Sequence, residues 1–130
     1  MPVVAVTYAG GLACEVEVRG HKYVIDVPEE MGGEDRGPTP LDVFGASLGS
    51  CIVFYLARWC REANINCEGT HVEVTYEHDK ENHCISQITA QIHLPSDFPA
   101  SRRKAGLRVA QQCTVHNTLC GALNTEVSLA

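Results

Sequence analysis

The sequence predicts a single α+β domain over residues 1–130, in which antiparallel strands and helices follow the order βββ-α-ββ-α-β. Three observations lead to this prediction. Apolar and polar side chains alternate in residues 1–27 and again in 70–94, which is typical of strands with one covered face. A long uncharged run lies between these regions and predicts a helix. A second helical pattern follows residue 94.

The N-terminal region predicts an antiparallel meander of three strands. Residues 3–8 form the first predicted strand, and glycines at positions 10, 11 and 20 mark the turns. In the stretch CEVEV, residues 14–18, the apolar side chains share one face of a strand and the glutamates share the other. Residues 28–40 contain three prolines and three glycines, so we expect a loop after the third strand.

The central helix is the longest predicted element. Thr39 is expected to cap it, Pro40 to be its first residue, and Asn64 to lie near its end. No charge occurs between residues 43 and 57, a run too long for a strand. We also expect this run to be too short to span a membrane, so no membrane association is predicted. Its composition indicates a helix that is buried on all sides at the centre of the protein.

The second half of the chain predicts a hairpin, a helix and a closing strand. The hairpin covers residues 70–94 and turns at 79–82. The next helix is expected to use Asp97 as its cap and to run toward Cys113, where a short helical turn follows. Residues 124–130 then predict a final strand with Val127 and Leu129 facing inward.

Charge and cysteine content limit the classes of function. The net charge is −6, from 10 basic and 16 acidic residues, which argues against a nucleic-acid partner. Residues 1–10 lack the basic start and long apolar region of a secretory signal, so we expect a cytoplasmic protein. Seven cysteines at irregular spacing do not resemble a secreted disulfide scaffold, and most of these thiols should be reduced in the cell.

Two cysteines stand out by their positions. Cys51 lies within the uncharged helix, where a small buried core residue is the ordinary interpretation. Cys113 precedes a helical turn, whose free backbone N–H groups favour the thiolate, although it could equally be a helix-end residue that packs on the core. For the other five we expect packing or incidental exposure: Cys14, Cys60, Cys67, Cys84 and Cys120.

The histidines give weaker signals. His116 follows Cys113 by three residues, so it could contact the sulfur or simply cap a carbonyl. Cys113, His116 and Cys120 have a loosely zinc-like spacing, but a structural site needs a fourth ligand, so neither a metal nor another cofactor is predicted. Four further histidines on or near the second hairpin are expected to be solvated strand residues: His71, His78, His83 and His93.

Two segments resemble the motifs of the OsmC/Ohr family of cysteine-based peroxide reductases. They are GGEDRGPTPLDVFGASLGSC, residues 32–51, and CTVHNTL, residues 113–119, where Thr114 replaces a proline that is common in the family. The order of elements fits as well, so the resemblance covers essentially the whole chain. It implies an intertwined homodimer in which two sheets enclose two long central helices. It also implies that Cys51 and Cys113 meet in a pocket at the dimer interface.

The resemblance also implies a chemistry. Cys51 would reduce an organic hydroperoxide and become a sulfenic acid, Cys113 would resolve it as a disulfide, and an external dithiol would reduce that disulfide. The best-known members place an arginine and a glutamate beside the reactive cysteine. Here Leu41 occupies the glutamate position, Asp42 matches the acidic position of a less characterised branch, and Arg36 is either the substitute arginine or a solvated loop charge.

Two other functions remain open. One is a non-catalytic OsmC-like protein that binds a small apolar or electrophilic ligand between subunits. The other is a hydrolase or acyl transferase that uses Cys113 and His116, although no oxyanion-hole motif or third catalytic residue is visible in the sequence.

Overall fold

The computed structural model describes residues 1–130, which form two compact units, residues 1–44 and 45–130. The first unit contains three strands, β1 (Ala5–Tyr8), β2 (Cys14–Val18) and β3 (His21–Ile25), and a short 3-10 turn at Glu29–Met31. Helix α1 (Pro40–Ala63) begins in this unit and continues into the second. The second unit adds β4 (His71–Asp79), β5 (Cys84–His93), a 3-10 turn at Ala100–Arg102, α2 (Arg103–Gln111) and α3 (Thr114–Cys120).

The N-terminal strands form the predicted antiparallel meander, with strand order β1-β2-β3. Val16 on β2 pairs with Val6 on β1 and with Tyr23 on β3. Its side chain is buried, whereas all four residues of β1 are exposed. The alternation of apolar and polar residues in CEVEV therefore corresponds to a sheet with one covered face, as the sequence predicts.

The loop after β3 is organised by one buried carboxylate, that of Asp26. Its two oxygens accept hydrogen bonds from the backbone N–H groups of Val27 at 2.8 Å, Glu34 at 3.3 Å and Arg36 at 3.1 Å. These bonds lower the pKa of Asp26, with that from Val27 the largest cause, and they outweigh the opposing effect of burial. A proline- and glycine-rich segment is thereby held in one conformation.

Helix α1 starts with a reciprocal cap, as the sequence predicts for Thr39. The Asp42 N–H donates to Thr39 Oγ1 at 3.1 Å, and the Thr39 N–H donates to Asp42 Oδ2 at 2.9 Å. The helix is not buried on all sides, which corrects the expectation from its composition. One face, including Leu48, Ile52 and Leu56, is buried, while Phe54 on another face is 57% exposed. The second unit of a single chain covers only one side of the helix.

The length of α1 also corrects the expectation that its uncharged run is too short to span a membrane. The helix has 24 residues, because it extends beyond the uncharged run at both ends, and by length and composition it could cross a membrane. The core helix of a soluble protein satisfies the same two criteria. Here Leu48, Ile52 and Leu56 lie in a core cluster that includes Cys113.

The second hairpin packs on this buried face. Its turn forms where predicted, because Asp79 Oδ1 accepts the backbone N–H groups of Glu81 and Asn82 at 3.1 Å. One face of β4 and β5 lies against the core formed by α1, Ala110 and Cys113; the hairpin residues in that contact are Val72, Val74, Ile88, Ala90 and Ile92. The alternating pattern therefore assigns the faces of this hairpin correctly.

Two predictions for the C-terminal half are wrong. Asp97 does not cap the second helix, because a 3-10 turn after Pro99 precedes α2, and its carboxylate accepts from Asn66 Nδ2 at 3.2 Å instead. Residues 124–130 form no strand, and Val127 and Leu129 are 96% and 99% exposed. A strand requires a hydrogen-bonded neighbour, and neither sheet of the chain pairs with this segment.

Candidate active site

Cys113 occupies the junction between α2 and α3. Its backbone is extended, with φ −67° and ψ 149°, and it is the N-cap residue of α3. The Cys113 Sγ atom accepts a hydrogen bond from the backbone N–H of His116 at 3.3 Å. The side chain is 0% exposed. The sulfur thus caps a helix from within the protein core, as the sequence predicts for the cap but not for the complete burial.

Cys51 reaches the same place from the middle of α1. It is partly buried and packs against the core cluster that contains Leu48, Ile52 and Cys113, and its thiol raises the pKa of Cys113. Both cysteines are free thiols. The structure therefore places Cys51 and Cys113 in the same packed region of one chain. That the two meet in a pocket at a dimer interface, as the resemblance implies, remains a prediction.

Burial raises the pKa of the Cys113 thiol, and this is the largest effect on it. The N–H groups of His116 and Val115 act in the opposite direction, while the adjacent Cys51 raises the pKa further. The expectation that the helix N-terminus would favour the thiolate is therefore wrong in its net result. Desolvation of the buried sulfur outweighs the backbone donors, and Cys113 is a protonated thiol at neutral pH.

A side-chain hydrogen bond beside the two thiols was not predicted from the sequence. Tyr55 on α1 and Thr114, the first residue of α3, share a hydrogen bond of 2.7 Å between their hydroxyl oxygens. Thr114 directly follows Cys113, and Tyr55 lies about one helical turn after Cys51, so the bond ties the start of α3 to the helix that holds Cys51. No local pattern identifies the pair, because its members are distant in the sequence.

The imidazole ring of His116 points away from the Cys113 sulfur, toward a backbone carbonyl and Cys120. Its Nδ1 lies 2.6 Å from the carbonyl oxygen of Gln111, and its Nε2 lies 3.5 Å from Cys120 Sγ. It is the backbone N–H, not the ring, that contacts Cys113. The interpretation of His116 as a residue that caps a carbonyl agrees with this geometry, and a catalytic pair of Cys113 with the imidazole does not.

Arg36 and Asp42 both have partners in the first unit. Arg36 Nη2 donates to the carbonyl oxygen of Ala9 at 2.9 Å, and Arg36 Nε lies 3.6 Å from Asp26 Oδ2. Arg36 is therefore a bound loop residue and not a freely solvated charge. Asp42 caps α1 through Thr39.

The remaining cysteines differ in environment. Cys60 is buried on α1, and burial together with the neighbouring Cys67 raises its pKa to about 11. The Cys67 sulfur lies 3.4 Å from Thr70 Oγ1. Cys84 and Cys120 are exposed, and Cys14 is partly buried. Packing thus accounts for Cys60, as expected.

A largely apolar cavity of about 400 Å³ borders the core cluster that includes Cys113. It is lined by Leu48 and Ile52 of α1 and by β5 residues such as Ile88, and the polar side chains of His116 and Cys120 also line it. Cavities of this volume and lining accommodate small apolar molecules.

Comparison with known proteins identifies the family of the chain. Residues 32–128 match the family model described as OsmC-like protein. The chain belongs to the OsmC-like family. This confirms the resemblance drawn from the two cysteine motifs. A search of curated proteins found no match.

Solved structures of OsmC-like proteins share this fold. A candidate osmotic stress induced and detoxification response protein from Psychrobacter arcticus is 23% identical, with TM-score 0.82 over 91% of this chain and 88% of that one. An OsmC-like protein from Mycoplasma pneumoniae is 16% identical, with TM-score 0.80 over 93% and 88%. The organic hydroperoxide resistance protein OhrB of Bacillus subtilis is 20% identical, with TM-score 0.61 over 92% and 91%. These similarities confirm the α+β, OsmC-like fold.

Proposed function

We propose that this protein is a thiol-dependent peroxidase that reduces organic hydroperoxides through Cys51 and Cys113. The observation that carries the proposal is the placement of two free thiols in the same apolar core, one on α1 and the other at the start of α3. Membership of a family that includes proteins named for organic hydroperoxide resistance supports the same chemistry.

The reaction proceeds in three steps. The Cys51 thiolate attacks one peroxide oxygen, the O–O bond breaks, and the alkoxide leaves as an alcohol after it takes up a proton. Cys113 then gives up its proton and its thiolate attacks the Cys51 sulfenic sulfur; the S–O bond breaks, the disulfide forms, and the leaving hydroxide takes up the proton to become water. An external dithiol reduces the disulfide by two exchange reactions and becomes a disulfide itself.

The environment of Cys113 suits the resolving role. Its raised pKa keeps it protonated, so it does not compete with Cys51 for the peroxide. Both cysteines belong to the same packed core, which suits the formation of a disulfide between them. The apolar cavity that borders this core favours organic hydroperoxides over hydrogen peroxide.

Arg36 and Asp42 enter the proposal as predicted members of the site. A peroxide-reactive thiolate needs a positive charge nearby, and Arg36, which pairs with Asp26 in the first unit, remains the predicted candidate for it. Asp42→Asn tests the acidic residue separately from its structural role, because the side-chain oxygen of asparagine can still accept the Thr39 N–H. Loss of peroxidase activity in this variant without loss of thermal stability supports a catalytic role for Asp42.

We further propose a cytoplasmic homodimer, the assembly typical of the family. Exposed apolar residues on α1 and on β1 favour association with a second subunit that would cover them; they include Phe44, Phe54, Val6 and Tyr8. The cytoplasm is a reducing compartment, in which the disulfide would form only transiently during turnover.

The decisive experiment is peptide mass mapping of the reduced protein after one equivalent of cumene hydroperoxide, with unreacted thiols blocked. We expect a dominant Cys51–Cys113 disulfide. In the Cys113→Ser variant we expect the reaction to stop with Cys51 oxidised and no disulfide formed. The Cys51→Ser variant should leave the peroxide unreduced. Cys84→Ser, at an exposed strand position, should behave as wild type. Two free thiols at 51 and 113, or oxidation spread over all seven cysteines, would refute the proposal.

The cavity favours a second candidate function, the binding of a small apolar or electrophilic ligand without turnover. In that case the peroxide would leave the thiols unchanged, while a naphthalene-sulfonate dye would bind the protein. Ala90→Phe, which fills the cavity from β5, would abolish dye binding.

A further inference from the structure

Two histidines and a glutamate meet on the face of the second hairpin that is turned away from the core. His71 and Glu73 alternate with the core-facing residues of β4, and His93 is the register partner of His71 on β5. His71 Nε2 lies 3.6 Å from Glu73 Oε1, and His93 Nε2 lies 3.8 Å from Glu73 Oε2. The carboxylate therefore stands between the Nε2 atoms of both rings.

The two imidazole rings form an ordered pair. Their centroids are 4.5 Å apart and their planes differ by only 9°. His93 Nε2 is buried and has no hydrogen-bond partner, although the side chain as a whole is 39% exposed. An unpaired buried nitrogen is costly, and a ligand that accepts its lone pair would remove that cost. This orphan atom is the second, independent sign of a binding site.

The geometry fits a divalent transition metal. The ligand atoms of His71, Glu73 and His93 all lie within 4.8 Å of one another. In a tetrahedral zinc site, bonds of about 2.0–2.1 Å place neighbouring ligands about 3.3 Å apart. Rotation of side chains that are already at 3.6 and 3.8 Å would close this difference, and on binding the two stacked rings would turn out of their parallel arrangement so that their lone pairs converge on the metal. The paired strands hold the three Cα positions and need not move.

We propose that His71, Glu73 and His93 form a binding site for a divalent cation of the zinc class, with a fourth coordination position open to water. Two imidazoles and one carboxylate form a ligand set found in zinc sites and also in non-haem iron sites, whereas magnesium and calcium prefer oxygen ligands alone. The site lies on the opposite face of the hairpin from Val72 and Ile92, which pack toward Cys113. It is therefore separate from the thiol pair.

The test must separate this site from the seven cysteines, which also bind zinc. We would titrate the reduced, full-length protein with Zn²⁺ and follow each histidine ring by ¹H–¹⁵N NMR. We expect the resonances of His71 and His93 to shift at one equivalent, while those of His78 and His83 stay in place. An anaerobic competition with Fe²⁺ shows which of the two metals the site prefers.

Variants complete the test. Glu73→Gln preserves the size of the side chain, and His93→Ala removes a ligand; both should weaken zinc binding at the hairpin by at least about tenfold. His78→Ala, a matched change at an exposed histidine of the same strand, should have no effect. Zinc that shifts only His116, beside Cys120, or an affinity that is equal in all three variants, would overturn the proposal.

Discussion

Burial and hydrogen bonding act in opposite directions on Cys113. Its position as N-cap of α3 gives the sulfur a backbone donor, and the apolar core around it removes water. Burial has the larger effect on the pKa of the thiol, which is raised. The two cysteines of the proposed reaction therefore differ in role because of where each sulfur lies, and not because of any difference in the residue itself.

This difference predicts the pH dependence of alkylation. Cys113 should react with iodoacetamide at least about tenfold more slowly at pH 7 than Cys84, because it is buried and protonated. The raised pKa favours the thiol, so the Cys113 rate should continue to rise with pH beyond 9.0, the ordinary value for the group. Quantitative mass spectrometry of the two peptides measures both rates, and a Cys113 rate that levels off below pH 8 would contradict the assignment.

At the scale of elements, the site depends on how α1 and α3 are joined. The Tyr55–Thr114 hydrogen bond connects them at 2.7 Å, and the Thr39–Asp42 cap fixes where α1 begins. Neither interaction involves the thiols directly. The Tyr55–Thr114 bond attaches the start of α3, and with it Cys113, to the helix that carries Cys51.

Removal of the interhelical hydrogen bond should affect both stability and chemistry. We expect Tyr55→Phe to lower the free energy of unfolding by about 1 kcal/mol and to slow formation of the Cys51–Cys113 disulfide severalfold. A double-mutant cycle with Thr114→Val isolates the bond, because the second substitution should add little once the first is made. Urea unfolding and stopped-flow oxidation give the two readouts. Fully additive effects would show that the hydroxyls act independently.

At the scale of the whole molecule, a single chain leaves a large apolar surface in water. Phe54 is 57% exposed on α1, and Val127 and Leu129 are 96% and 99% exposed near the C-terminus. Monomeric soluble proteins seldom expose extended apolar surface. The homodimer that we propose would cover such residues, and it would offer the C-terminal segment a partner strand in place of the pairing that its own chain does not make.

A charge at Phe54 should therefore separate the subunits. We expect Phe54→Glu to convert the dimer to a folded monomer, because a carboxylate cannot be buried in an apolar interface without a partner. Sedimentation equilibrium measures the mass, and circular dichroism checks the fold. Lys80→Glu, an exposed charge change in the turn of the second hairpin, serves as the control. A wild-type protein that sediments as a monomer would contradict the dimer.

The sequence by itself determined the order of most elements, the cap of α1, both antiparallel sheets and the two cysteine motifs. These features are encoded locally, by alternation, by turn residues and by the position of Thr39. The tertiary structure alone decided the burial of Cys113, the direction of its pKa shift and the meeting of His71 with His93. These depend on residues distant along the chain, and burial is a property of the packed molecule. The final strand was predicted wrongly for the same reason, since a strand exists only where another chain segment pairs with it.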